Sequence, residues 1–381
     1  MHGYTQREKF TRRTLEFRES PLESMVMDKS FWKDKKVLIT GHTGFKGSWL
    51  SLWLQRMEAN VIGYSLPPPT KPSLFEVGHV ADGMVSITGD VCDLEQVQAT
   101  IAKHEPEIIF HMAAQSLVHY SYAHPVETYS TNVMGAVNVL EAIRHSRCVR
   151  VVIIVTSDKC YENNEGLWGY REIDPMGGYD PYSSSKGCVE LITSGYRSSF
   201  FSKGGFLDQE TWVATVRAGN VIGGGDWAKD RLIPDIMKAM MESRVVVIRN
   251  PDAIRPWQHV LEPLCGYLML VERLWSRRKE FDGAWNFGPD DKDAKPVSWV
   301  AEFVTNLWGQ GARWELDPNE HRHEAKYLKL DCSKAKSLLG WKPKLNICKT
   351  LEWIVDWYRS YKESKDMRDI TEDHIVRFEN L

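Results

Sequence analysis

Long apolar runs are missing from this sequence. The strongest, Val151-Val-Ile-Ile-Val155, has strand length and falls far below the ~18 residues a spanning helix needs. No sign of charge dominates either, since 48 Lys and Arg stand against 51 Asp and Glu for a formal net charge of −3. A protein that coats nucleic acid carries a strong basic excess, so neither nucleic acid nor membrane is expected as a partner. Cys-x-x-Cys pairs are absent, and the seven cysteines are scattered and odd in number. That usage excludes a disulfide scaffold and predicts a protein of a reducing compartment, the cytoplasm. His321-Arg-His323 is the one tight histidine pair and lacks companions at zinc-like spacing, so no metal is expected. Residues 1–29 mix Arg and Glu without the apolar stretch of a secretory signal and read as a leader or tail.

What is present is an alternation. Short β-branched runs at 37–40, 61–65, 85–89, 108–113, 150–156 and 212–218 are separated by stretches of helical apolar spacing at 49–54, 94–104, 126–144 and 183–196. This predicts an α/β fold, a Rossmann-type doubly wound parallel sheet with crossover helices. Near-continuous apolar strands at 108–110 and 151–155 suit burial on both faces. After Gly219 the rhythm changes, and Gly223-Gly-Gly225, Pro234, Pro251, Pro256 and Pro263 punctuate shorter elements. The expected organisation is a dinucleotide-binding and catalytic domain over 30–220, a smaller C-terminal substrate-binding region over 221–365 with segments returning to the sheet, and a tail over 366–381.

In an open α/β sheet the ligand lies at the carboxyl ends of the strands, where four motifs fall. The first is Thr40-Gly41-His42-Thr43-Gly44-Phe45-Lys46-Gly47, between the first strand and the first helix. Glycines three apart let the chain turn tightly and bring backbone N–H groups against a pyrophosphate at a helix N-terminus. The second strand ends in Val61-Ile-Gly-Tyr-Ser65-Leu66, with neither the acid that reads a ribose nor an arginine for a 2′-phosphate, so these residues leave NAD and NADP open. Ser65 is the candidate ribose contact, and Asp90 the candidate adenine contact or, equally, a turn cap.

The second motif is Tyr182-Ser-Ser-Ser-Lys186. Residues four apart share a helix face, so the Lys186 ammonium is expected to draw the Tyr182 phenol from a pKa of ~10 toward neutrality, as a proton shuttle requires. Tyr358…Lys362 and Tyr361…Lys365 have the same spacing but lack the turn Gly177-Gly-Tyr-Asp-Pro181 before them. The third is Ser157-Asp158-Lys159, a hydroxyl, an acid and an amine leaving the fifth strand. The fourth comprises Arg217-Ala-Gly-Asn220, Gly223–Trp227, Arg231 and Arg255-Pro-Trp-Gln-His259, where arginine forks and rings near glycine turns suit a nucleotide diphosphate.

These residues resemble the extended short-chain dehydrogenase/reductase family through Thr-Gly-x-x-Gly-Phe-x-Gly at 40–47, Met112-Ala-Ala114-Gln115, Tyr129-Ser-Thr-Asn132 and Tyr182…Lys186. Within it they resemble the branch of 4,6-dehydratases acting on CDP-glucose. That narrower likeness rests on 41–47, Thr156-Ser-Asp-Lys-Cys-Tyr-Glu162, 178–183, 217–227, 255–263, Tyr327-Leu-Lys-Leu-Asp-Cys-Ser-Lys334 and Leu339-Gly-Trp341, and runs from about Phe31 to Trp357. The resemblance implies NAD as a recycled oxidant, contacted by Gly41, Thr43, Gly44, Phe45, Lys46, Gly47, Ser65, Asp90, Val91, Ala113, Ala114, Gln115, Thr131, Tyr182, Lys186 and Ala218. It implies that CDP-glucose meets Asn220, Trp227, Arg231, Arg255, His259 and Tyr327.

The resemblance also implies roles. Tyr182, aided by Lys186 and Ser157, would take the C4 hydroxyl proton as hydride leaves C4. Asp158 would protonate the departing C6 hydroxyl, and Lys159 would remove the C5 proton. The related dTDP-glucose dehydratases carry Thr-Asp-Glu where Ser157-Asp158-Lys159 stand, so Lys159 must lose its proton to serve as a base. The family is typically dimeric through two helices per subunit, here 126–144 and 183–196, and its product feeds dideoxysugars of surface polysaccharide such as O-antigen. A nucleotide-sugar 4-epimerase shares the fold, the cofactor and the Tyr–Lys pair without needing Asp158 and Lys159, and a non-catalytic NAD(P)-sensing protein would need none of the five.

Overall fold

The computed structural model describes residues 27–201, 210–319 and 328–381. Tyr327 and the His321–His323 pair lie outside the described residues. In chain order the elements that place the site are β1 (Lys36–Thr40), α1 (Phe45–Arg56), β2 (Asn60–Ser65), β3 (Val85–Thr88), α2 (Leu94–His104), β4 (Ile108–His111), α3 (Gly135–Arg144), β5 (Val151–Val155), α4 (Pro181–Tyr196), β6 (Trp212–Arg217), α5 (Leu261–Arg277), β7 (Gly283–Asn286), α6 (Ile347–Lys362) and α7 (Met367–Glu379).

The seven strands form one sheet in the order β7-β6-β5-β4-β1-β2-β3, and every neighbouring pair is parallel. Alternate strand residues go to opposite faces. Val37, Ile39, Ile108, Phe110, Val151 and Ile153 join the core under α1, α5, α6 and α7, whereas Leu38, Ile109, Val152 and Ile154 join the core under α2, α3 and α4. Both faces are covered, which is why these strands read as unbroken apolar runs. The direction of winding reverses between β1 and β4, and a ligand crevice opens at such a switch point.

Local chemistry fixes the helix ends. Asp180 caps α4 by accepting from the Ser183 amide, with Pro181 in the first turn, and Asp93 caps α2 through the Gln96 amide. The segment expected as one helix over 126–144 is helical throughout, running from Pro125–Tyr129 through a π turn at Ser130–Met134 into α3. That widened turn carries Asn132 inward, where its amide group donates to Gln115 O at 3.0 Å and to Ser185 Oγ at 2.9 Å. The segment expected as a C-terminal tail is α7, with Met367, Ile375 and Phe378 buried. Beyond β6 the described residues form three two-stranded ribbons, including Ile254–Pro256 antiparallel with Ala294–Pro296, and the chain returns to the sheet as β7.

Candidate active site

The glycine turn sits at the β1/β4 crevice. Gly41 has φ +79°, and a Cβ there would lie 2.8 Å from the Ala113 amide nitrogen, so this close approach to the loop after β4 requires glycine. The capping residue of α1, Gly44, is extended and offers no side-chain hydrogen bond, which leaves the first-turn N–H groups available to an anion. Thr43 donates to the Leu66 carbonyl at 2.9 Å and accepts from Ser65 at 2.9 Å, joining the turn to the end of β2. Asp90 accepts from the Cys92 amide at 2.9 Å, Val91 beside it is buried, and Thr131 bonds to the Cys92 thiol. The Ala113 amide donates to Thr40 Oγ1 at 3.2 Å and the Gln115 amide to Asn132 Oδ1 at 2.9 Å. Ala114 and Ala218 are half-buried at the ends of β4 and β6. A glycine cradle with uncapped helix amides, bordered by the ends of four strands, fits a dinucleotide.

The candidate reacting groups meet one strand further along. Ser157 follows β5, donates to Asp158 Oδ1 at 2.9 Å and shares a hydrogen bond with the Tyr182 phenol. Asp158 is 3% exposed and lies over Gly219, where a Cβ would stand 1.8 Å from Oδ2. Lys159 is half-buried, its amide donating to Ser157 Oγ at 3.2 Å. Lys186 Nζ donates to the Val155 carbonyl at 3.3 Å.

Burial governs the titration here and departs from the expected lowering of the Tyr182 pKa. Tyr182 is pushed up to about 12 by burial; its bond to Ser157 and the charge of Arg231 pull against this, while Asp158 and Asp180 add to it. Lys186 is brought down to about 8 by burial, against the negative potential of Cys160 and Glu190.

Glu190, one turn beyond Lys186 on the same helix face, went unnoticed in the sequence although 182, 186 and 190 share one stripe. Arg217 grips it with a fork, Nε to Oε1 at 2.8 Å and Nη2 to Oε2 at 2.8 Å, while Thr215 donates at 2.6 Å and Thr156 also donates. Burial opposes its charge, yet the fork and the two hydroxyls hold its pKa below the usual carboxylate value. Arg217 continues to Tyr161 OH at 2.6 Å, and Tyr161 donates to Asn286 Oδ1 of β7 at 2.8 Å.

An open cleft of about 330 Å³ runs from Asp158 past Gly219, Gln258 and Gly288 to Asp290, Asp291 and Lys329. Arg231 reaches into the crevice, donating to Ser116 Oγ at 2.8 Å and pairing with Asp226 at 3.0 Å. Asn220 adopts φ +48° and its carbonyl accepts from the Gln258 amide at 3.2 Å. Arg255 is half-buried in its ribbon, with Nη1 on the Ile254 carbonyl at 2.9 Å. Trp227 leans on the rings of Trp357, Tyr358 and Tyr361 of α6. His259 is not brought into the cleft: it is 0% exposed, edge-on to Trp49 and Trp353, and accepts from the Leu261 amide. Asp290 and Asp291 escaped the sequence reading because the fold alone brings them there, and Gln258 and Lys329 stood within the motifs at 255–259 and 327–334 without being singled out. Among the described residues no group of three or more His, Cys, Asp or Glu is placed to hold a metal, and no helix is long and apolar enough to cross a membrane.

The sequence model of the GDP-mannose 4,6 dehydratase family matches residues 38–274. The chain is 55% identical over 342 residues to a CDP-glucose 4,6-dehydratase of Salmonella typhimurium, covering 90% of this chain and 95% of that protein. It is 27% identical over 337 residues to a dTDP-glucose 4,6-dehydratase of Streptomyces antibioticus, covering 85% and 92%. Among solved structures, a UDP-glucose 4-epimerase of Thermotoga maritima with UDP-glucose superposes with TM-score 0.74 at 21% identity, over 85% of this chain and 99% of that one. A dTDP-glucose 4,6-dehydratase of Bacillus anthracis in complex with NAD gives 0.69 at 22% identity, over 87% and 98%. The two structures establish the fold.

Proposed function

Because the chain belongs to the GDP-mannose 4,6 dehydratase family, we propose that it is a hydro-lyase converting CDP-glucose to CDP-4-dehydro-6-deoxyglucose and water with NAD as recycled oxidant. The observation that carries this reading is the Asp158 carboxyl, buried on Ser157 beside the Tyr182 phenol. An acid at that point is needed to expel water and has no task in 4-epimerisation.

The glycine turn, Thr43, Ser65, Asp90, Ala113, Gln115 and Thr131 would hold NAD. When bound, NAD supplies a two-electron acceptor for the hydrogen at C4 that later returns it at C6. Tyr182 takes the proton of the C4 hydroxyl, and Ser157 turns its one hydroxyl proton from Asp158 to the phenolate, the protonated Asp158 carboxyl donating to Ser157 in return. The resulting ketone acidifies C5–H. Lys159 as the free amine takes the C5 proton, Asp158 gives its proton to the C6 hydroxyl, and water leaves across C5 and C6. Lys159 then returns its proton to C5. The proton gained by Tyr182 balances the one given by Asp158, so the cycle closes through solvent. Arg231 and Arg255 carry the diphosphate, since a guanidinium fork matches phosphate oxygens.

The subunits pair through the helical segment 126–144 and through α4, a face on which Val126, Met134 and Leu191 are 78%, 51% and 64% exposed. The seven free cysteines suit the cytoplasm, and the product suits synthesis of deoxysugars for surface polysaccharide.

Proton NMR of the protein with NAD and, separately, CDP-, dTDP-, UDP- and GDP-glucose tests this. A C6 methyl signal chiefly with CDP-glucose is expected. A C4 epimer with no methyl signal moves the assignment to an epimerase.

A further inference from the structure

One polar atom of the cleft wall is left over by this chemistry. Gln258, in the two-residue strand that pairs with Val221–Ile222, is 2% exposed and lines the cleft together with Asp158 and Gly219. Its Nε2 donates to the Gly219 carbonyl at 3.1 Å and to the Phe287 carbonyl at 2.9 Å. Both neighbours only accept, so the amide cannot be turned round: its NH2 group faces the two carbonyls and its oxygen faces away from them. That oxygen, Oε1, is buried and has no donor among the described residues. A buried acceptor without a donor costs stability, and its partner has to come from the cleft that the side chain lines.

Gly219 joins this amide to the acid. Its carbonyl holds the Gln258 NH2 group, and Asp158 Oδ2 lies 1.8 Å from where its Cβ would stand. A hydroxyl that meets Asp158 over Gly219 therefore lies beside Gln258. The same amide pins the loop after β6 to the loop after β7, which fixes where its oxygen stands.

A hydroxyl has one hydrogen and two lone pairs. To be protonated it must turn a lone pair toward the acid, and its own hydrogen then needs an acceptor elsewhere. We propose that Gln258 Oε1 is this acceptor: it takes the hydrogen bond of the C6 hydroxyl and so presents a lone pair of the departing oxygen to Asp158. The inference rests on the assignment of Asp158 as the acid of the elimination. Asp158 gives its proton to the C6 oxygen, Lys159 takes the C5 proton, the C6–O bond breaks as the C5–C6 double bond forms, and water leaves. Gln258 accepts a hydrogen bond throughout and exchanges no proton.

The test sets CDP-glucose against CDP-6-deoxy-6-fluoroglucose, whose leaving group is fluoride and carries no hydrogen to be accepted. The full-length protein loaded with NAD is mixed with either substrate in a single turnover. The absorbance of the reduced nicotinamide rises with oxidation at C4 and falls when hydride returns after elimination. Gln258→Met is expected to keep the rise with both substrates, to slow the fall with CDP-glucose on the order of tenfold to a hundredfold, and to leave the fall with the fluoro substrate at the wild-type rate. A cleft that is merely misshapen would slow both. Should Gln258→Met fail to fold, Gln258→Lys keeps donors for the two carbonyls, has no acceptor and is read in the same way. A fall unchanged with CDP-glucose, or slowed equally with both substrates, overturns the proposal. A wild type that forms no methyl product from CDP-glucose removes the dehydratase reading itself.

Discussion

Ser157 touches a group of each of two successive steps, the Tyr182 phenol of the oxidation and the Asp158 carboxyl of the elimination. Its bond to Tyr182 favours the phenolate against a burial that pushes the pKa to about 12. Removing that bond raises the pKa further, so less phenolate is present at neutral pH. Ser157→Ala is therefore expected to slow the first oxidation about tenfold to a hundredfold near neutrality and to regain rate as pH rises. Single-turnover absorbance of the reduced nicotinamide after mixing with CDP-glucose reads this directly. A loss independent of pH would assign Ser157 to positioning alone. Lys159→Ala is expected to leave that absorbance change intact and to abolish the methyl product.

At the scale of elements, α4 is fastened to the sheet by one buried carboxylate. Glu190 ties it to Thr156 at the end of β5 and to Thr215 and Arg217 of β6, so Tyr182 and Lys186 inherit their distance from Ser157 through that pair. Glu190→Gln keeps the shape and leaves the Arg217 cation buried without its counter-charge. The expected cost is about 3–5 kcal/mol in urea unfolding, whereas Arg217→Met with Glu190→Gln restores most of it because neither charge remains. The spacing of Tyr182 and Lys186 and the strand-end position of Ser157 were legible because each is local. Glu190 was equally local but carried no motif until the strands supplied its partners. The helix over 126–144 was legible too, but not the π turn within it, because an inserted residue shifts the apolar stripe without breaking it. His259 was misplaced because nearness to Arg255 in sequence does not say which way a two-residue strand turns its side chains.

Across the whole molecule, the alternation of strand and helix made six of the sheet strands and their parallel sense readable, since each βαβ crossover is written in consecutive residues. What could not be read is what the distant chain brings back: β7, the cleft wall at Asp290 and Lys329, and α7. The last of these lies behind the glycine turn. Trp53 of α1 donates to Glu379 at 2.8 Å and meets the Phe378 ring edge-on at 5.8 Å, while Trp357 donates to Thr371 at 3.0 Å. Lys29 and Arg56 add ion pairs to Glu379 and Glu372 at 2.7 and 3.1 Å. α7 therefore covers α1, the helix whose first turn would face the dinucleotide. Phe378→Ala, at 0% exposure, is expected to cost about 3–5 kcal/mol and, by loosening α1, to weaken binding of NAD+ and NADH by the same factor. A cost near zero by urea unfolding would make α7 an appendage and leave the glycine turn supported by the sheet alone.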